Sequence, residues 1–137
     1  MCIKENIQTV IDDFLLIESW EERYEYLICL GRKLPKMSRV FRKKKNMIFG
    51  CQSKVWLRAY IQFNKIYFNA DSDALITRGI AALLVRIYSG QYPYDIIHTT
   101  PIFIYKIGFS SFLTANRANG MDAMFRAIKK YAIYFQC

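Results

Sequence analysis

Hydrophobic positions near the start of the chain recur with a helical period. Ile3, Ile7, Val10, Ile11, Phe14 and Leu15 fall on one stripe, which predicts an amphipathic helix over about residues 3–17. Ser19-Trp20-Glu21-Glu22 has the form of a capping box and opens a second helix through Trp20, Tyr24, Leu27 and Ile28. Gly31 and Leu34-Pro35 are its expected end. Residues 35–46 read as a polar, basic loop. The period then changes to two. Val55, Leu57, Ala59, Ile61 and Phe63 alternate with more polar neighbours, the pattern of a strand with one buried face. Asn64-Lys65 is the expected hairpin turn, and Ile66, Phe68 and Ala70 the return strand. Met47–Phe49 adds a short third strand, with Gly50-Cys51-Gln52 as the connection.

Asp71 or Ser72 then caps a long helix through Leu75, Ile76, Ile80, Leu83, Leu84 and Ile87, which stops near Gly90. Pro93 and Pro101 each suit the first turn of a short helix. Thr114 opens the final helix, whose core face is Met121, Met124, Phe125 and Ile128. Helices, a small antiparallel sheet and helices again make one α+β domain over residues 1–137. Its sheet is three-stranded, with helices packed on one face.

Composition narrows the function class. The chain has 137 residues and is 53% hydrophobic, enough for a real core without disulfides or a structural metal. Its longest apolar runs, such as Ile80–Val85, fall far short of a membrane span. The opening MCIKENIQTVIDD does not read as a secretory signal, so the expected location is cytoplasmic. The net charge of +9 is uneven: residues 1–25 hold seven acids against Lys4 and Arg23, and the other 18 of the 20 lysines and arginines all lie beyond them. The run Arg39–Lys45 invites a nucleic-acid reading. A solvated loop is the plainer account, because one short run lacks the basic stripe and stacking aromatics of recognition modules. No nucleic-acid or membrane partner is therefore expected.

The chemistry on offer is sparse. His98 is the single histidine, and it reads as structural. Neither a Ser-His-Asp set nor a glycine-rich phosphate loop is visible. The cysteines, Cys2, Cys29, Cys51 and Cys137, form no CxxC pair, so no metal site is expected. Cys29 sits in an apolar helix pattern and reads as buried, while Cys2 and Cys137 lie at the termini. Cys51 differs, because it follows Gly50 in a turn. A thiolate is a nucleophile, and a base such as Lys54 or the amides of a tight turn would favour it. Against this stands a cysteine that merely fills a turn, and the residues alone leave both readings open.

At these residues the sequence resembles the SufE family, the sulfur acceptors of cysteine desulfurases. Gly50-Cys51-Gln52-Ser53-Lys54-Val55-Trp56 is similar to the family's GCQSxVW motif. Trp20-Glu21-Glu22-Arg23-Tyr24, Leu30-Gly31 and Leu34-Pro35 resemble its WEExY, LG and LP pattern. Ala70-Asp71-Ser72-Asp73 with Gly79, and Arg117-Ala118-Asn119-Gly120-Met121, match two further segments in order. Gln52-Ser53 sides with SufE over its relative CsdE, which tends to carry Glu-Asn there. Asn116, Ala70 and the basic 36–45 loop depart from the pattern.

The resemblance implies a three-stranded sheet with helices, related to the NifU/IscU fold, in a homodimer. It implies that Cys51 takes persulfide sulfur from the desulfurase SufS, stimulates it, and passes the sulfur to the SufBCD iron–sulfur assembly complex. No cofactor is implied on this chain, since pyridoxal phosphate belongs to the desulfurase. Gly50, Gln52 and Arg117 would support the loop or the partner surface. For Arg117 the competing account is a local ion pair at a helix start. A CsdE-like carrier for another acceptor and a basic nucleic-acid-binding module are the alternatives. A persulfide must also be shielded from other thiols. The resting Cys51 is thus expected to turn inward against residues drawn from Met47, Ile48, Phe49, Met121, Met124 and Phe125.

Overall fold

The computed structural model describes residues 2–101, 108 and 115–136. Helix α1 spans Ile3–Leu16 and buries Ile3, Val10, Ile11 and Phe14, the stripe read from the sequence. Helix α2 spans Trp20–Lys33, and the Ser19 side chain accepts a hydrogen bond from the Glu22 amide at 3.1 Å. Strands β1 (Val55–Gln62) and β2 (Lys65–Ser72) pair antiparallel, with Leu57 opposite Ala70 and Gln62 opposite Lys65. Helix α3 (Leu75–Tyr88), the short α4 (Pro93–Ile97) and α5 (Ala115–Gln136) follow. Val55 and Leu57 of β1 and Ile66, Phe68 and Ala70 of β2 turn inward, onto a core shared with α3 and the Met121, Met124, Phe125 and Ile128 face of α5.

Several expectations need correction. Among the described residues the sheet has two strands, not three. Met47 makes only an isolated bridge to Trp56, and the Ile48 amide donates to the Val55 carbonyl at 2.9 Å. A 3-10 turn (Lys44–Asn46) precedes this segment, and Gly50 turns it away at φ 98°, so too few residues remain extended to make a ladder. The hairpin turn falls one residue early, on Phe63 (φ 51°) and Asn64 (φ 65°). Both then lie in the left-handed region, as a two-residue hairpin of the I′ kind requires. Phe63 is thereby taken off the buried face and is 84% exposed.

Gly31 does not end α2. It faces Gly79 of α3 across the closest approach of two helices: a Cβ on Gly31 would lie 2.8 Å from the Gly79 nitrogen, and one on Gly79 would strike the Leu27 carbonyl oxygen. With Leu27 and Gly31 turned toward α3, Cys29 lies on the opposite side of α2 and is exposed, not buried. Helix α3 is N-capped by Ala74, not by Asp71 or Ser72. The helix expected after Pro101 and the start at Thr114 lie outside the described residues.

Asp71 has other work. Asp71, 4% exposed, accepts from Arg78 Nε at 2.8 Å and from the Met37 amide at 3.0 Å, and Arg78 also donates to the Leu34 carbonyl. A buried carboxylate is tolerable only with such partners. On the outer face of the sheet, the Arg58 guanidinium lies 3.7 Å from the centre of the Phe41 ring and Arg42 sits over Trp56, so the basic loop is partly pinned.

Tyr88 carries a test of the packing. Its ring is buried edge-on against Phe125, and among the described residues its hydroxyl has no hydrogen-bond partner. An unpaired buried hydroxyl costs about 1–3 kcal/mol. Tyr88→Phe therefore leaves the urea midpoint unchanged or raises stability by about 1 kcal/mol. A loss of that size would show the hydroxyl to be bonded.

Candidate functional site

Residues 49–53 leave the sheet edge and cross α5. Where a Gly50 side chain would begin, the Cβ of Ala123 is 3.5 Å away, and the left-handed φ of Gly50 sends the next residue to one side of that helix. The Cys51 Sγ then approaches the Gly120 carbonyl oxygen at 3.6 Å, in reach of a weak S–H hydrogen bond. A Cβ on Gly120 would lie 3.5 Å from the same sulfur, so the glycine at this point of α5 leaves the thiol its room.

The far end of the loop is clamped. The Lys54 amide donates to Asp73 Oδ1 at 3.1 Å, and its carbonyl accepts from Ser72 Oγ at 2.8 Å and from the Asp73 amide at 3.2 Å. Ser72 and Asp73 thus hold the Cys51 loop, a role that sequence reasoning missed by reading Asp71 and Ser72 as helix caps. Short polar residues bonding to nearby amides are the usual signal of a cap. Nothing in a linear sequence shows that their partner is 18 or 19 residues upstream.

The thiol lies in a cavity of about 150 Å³ between α3 and α5. Cys51, Gln52 and Ser53 form one wall, Ala74, Ile76, Thr77 and Ile80 a second, and Arg117, Gly120 and Met124 a third. Cys51, Gln52 and Arg117 are thus brought to one pocket, whereas Gly50 lies against Ala123 and is not in its lining. Of the apolar residues expected around the sulfur, Met124 is in the wall. Phe49 is 69% exposed, and Met121 and Phe125 belong to the core. Arg117 Nη2 donates to the Tyr24 hydroxyl at 3.2 Å with its guanidinium over the same ring, which ties the start of α5 to α2.

Burial pushes the Cys51 thiol up from its ordinary value. Lys54 contributes its backbone to the loop, and the thiol's surroundings favour the neutral form. The consequence for reactivity has a definite sign. Alkylation needs the thiolate, so a raised pKa lowers the rate at neutral pH and moves its rise toward alkaline pH. In a variant with Cys2, Cys29 and Cys137 changed to serine, iodoacetamide labels Cys51 several-fold more slowly at pH 7 than it labels a free small thiol. The rate is still climbing at the pH where the small thiol levels off. Equal rates and equal profiles would contradict the pocket.

His98, exposed, stacks on Tyr94 at 4.0 Å, and its Nδ1 is 2.8 Å from the Tyr94 carbonyl oxygen, a local contact. Among the described residues no three His, Cys, Asp or Glu side chains cluster as metal ligands, and no helix is long and apolar enough to cross a membrane.

Comparison with known proteins agrees with this architecture. The SufE family, described as an Fe-S metabolism associated domain, matches residues 8–132. A SufE-like protein of Rhizobium meliloti is 38% identical over 93% of this chain and 94% of its own length. A SufE-like protein of Synechocystis is 34% identical over 96% and 82%. The chloroplastic/mitochondrial SufE-like protein 1 of Arabidopsis thaliana is 31% identical over 95% of this chain and 35% of its own length. A solution structure of a Thermus thermophilus protein shares the fold, with a TM-score of 0.80 over 96% of each chain at 18% identity. A mixed helix-and-sheet fold, a family match over nearly all of the chain and relatives of this identity lead to one conclusion: the chain belongs to the SufE family.

Proposed function

We propose that the chain is a sulfur acceptor in which Cys51 receives persulfide sulfur from a cysteine desulfurase of the SufS kind and passes it to a SufBCD-type iron–sulfur assembly complex. The observation that carries this reading is the seat of Cys51. It is a single thiol on a short loop clamped at both ends, its sulfur in a small cavity against a helix carbonyl. Membership of a family tied to Fe-S metabolism supports it.

The chemistry asks little else of the chain. The Cys51 thiolate attacks the outer sulfur of the donor's persulfide. The donor's S–S bond breaks, a new S–S bond forms on Cys51, and the donor leaves as a thiolate. One sulfur atom moves and no net oxidation occurs. The cavity walls would screen the product from small thiols. Gly50, already in a conformation other residues avoid, is the point where the loop can swing outward to reach the donor.

Incubation with a cysteine desulfurase, pyridoxal phosphate and cysteine, followed by intact-mass and peptide mass spectrometry, tests the proposal. The expected result is one added sulfur on the Cys51 peptide, removed by a reductant. Sulfur found only on other cysteines, or on none, overturns it.

A further inference from the structure

The loop that carries Cys51 crosses α5 at Ala123, with the thiol pocket on one side. On the other side lies an open groove of about 580 Å³. Helix α5 supplies Ala123, Arg126, Ala127, Lys130, Tyr131 and Tyr134, a spacing that keeps them on one face. Residues 45–49 form the opposite wall, and Leu57 the floor. Two large side chains, Phe49 and Tyr134, remain 69% and 68% exposed along it. The charged residues in the lining are Lys45, Arg126 and Lys130, all exposed. Among the described residues no acid lines the groove. Asp122, one turn before Arg126 on α5, pairs with it from outside the lining. An apolar floor under three cations complements a segment that offers apolar side chains between carboxylates.

We propose that this groove docks an acidic, apolar-anchored segment of the sulfur-donating protein. The inference rests on the acceptor role of Cys51. Phe49 lines the groove and Cys51 lines the pocket, only two residues apart, so a partner seated in the groove is already beside the loop that must meet its persulfide. A polynucleotide fits less well. The Tyr131 ring is engaged by Phe68 of β2 and by Phe135 near the end of α5, and its hydroxyl donates to the Leu57 carbonyl, so this ring is not free to stack on a base and only Phe49 and Tyr134 are left exposed for that.

The test is the variant Lys45→Glu/Lys130→Glu, whose side chains are exposed and which leaves Arg126 and its ion pair intact. Its affinity for holo cysteine desulfurase is measured across a salt series. Loading of Cys51 by glutathione persulfide, which transfers sulfur by the same exchange without docking, is measured alongside. The expected result is at least a tenfold weaker Kd, a flatter salt dependence and unchanged chemical loading. Tyr134→Ala, at the apolar side, weakens binding with the salt dependence retained. If wild type accepts desulfurase sulfur and the double variant binds as tightly, the docking site is wrong. Should wild type accept none, the acceptor role falls and the docking proposal with it. Loss of binding to a labelled single-stranded RNA with desulfurase affinity intact would assign the groove to nucleic acid and overturn the proposal.

Discussion

Cys51→Ser keeps the fold and ends sulfur acceptance. A hydroxyl at this position cannot form a persulfide, so the loss is complete rather than partial. The structural cost is small, because the side chain is half-buried and the serine hydroxyl keeps a donor facing the Gly120 carbonyl. Stability should change by no more than about 1 kcal/mol. Cysteine-dependent sulfide release by a desulfurase, with wild type or variant added, gives the readout. Full stimulation by Cys51→Ser would remove the thiol from the mechanism. Serine at Cys2 or Cys29, both exposed, leaves acceptance at the wild-type level. The same holds for Cys137, which lies outside the described residues.

Gly79→Ala produces the largest loss of stability. Alanine favours a helix over glycine by about 1 kcal/mol, which alone would stabilise α3. The added methyl, however, meets the backbone carbonyl of Leu27, which no rotamer change can move aside. Helices α2 and α3 must separate along their whole contact, loosening Leu27, Ile80 and Leu83, all buried. Overpacking of this kind costs about 1–3 kcal/mol and more where the clash is with backbone. We expect a net loss of at least about 2 kcal/mol, a fall of roughly 8 °C in Tm for a domain of this size. Gly31→Ala acts in the same sense through the Gly79 nitrogen. The double variant loses less than the sum, since helices already apart make room for the second methyl. Thermal melts of the three variants decide the matter. A Gly79→Ala protein as stable as wild type would show that the approach of the helices is not as close as described.

Much of this was legible in the sequence where the cause is local. The stripe from Ile3 to Phe14 and the alternation at Val55 and Leu57 each encode a buried face by period alone. The interest of Cys51 was visible from Gly50 beside it and from the motif around it. What the sequence hid depends on partners far along the chain. Ile28, Cys29 and Leu30 are all compatible with burial, and only the glycine contact with α3 fixes the rotation that exposes Cys29. An aromatic residue is a rare choice for a left-handed turn position, so by pattern alone Phe63 reads as the last residue of a strand. Gly31 had the look of a helix end, because the need for a close approach lies in a helix more than forty residues away.

The two clamps on the Cys51 loop also set a length. The Ile48 N–H donates a hydrogen bond to the Val55 carbonyl, and Lys54 is held at both its N–H and its carbonyl, so each anchor stands three residues from Cys51. An extended chain advances at most about 3.5 Å per residue, which gives the Cys51 backbone a tether of roughly 10 Å from either anchor. While both clamps hold, the thiol sweeps only a small arc about its pocket between α3 and α5 and stays within that distance of its anchors. If Cys51 accepts persulfide sulfur as proposed, the donor's persulfide has to come out to meet it, on a mobile segment or at a shallow opening. A donor whose sulfur lies deeper than that tether can be served only after one clamp is released.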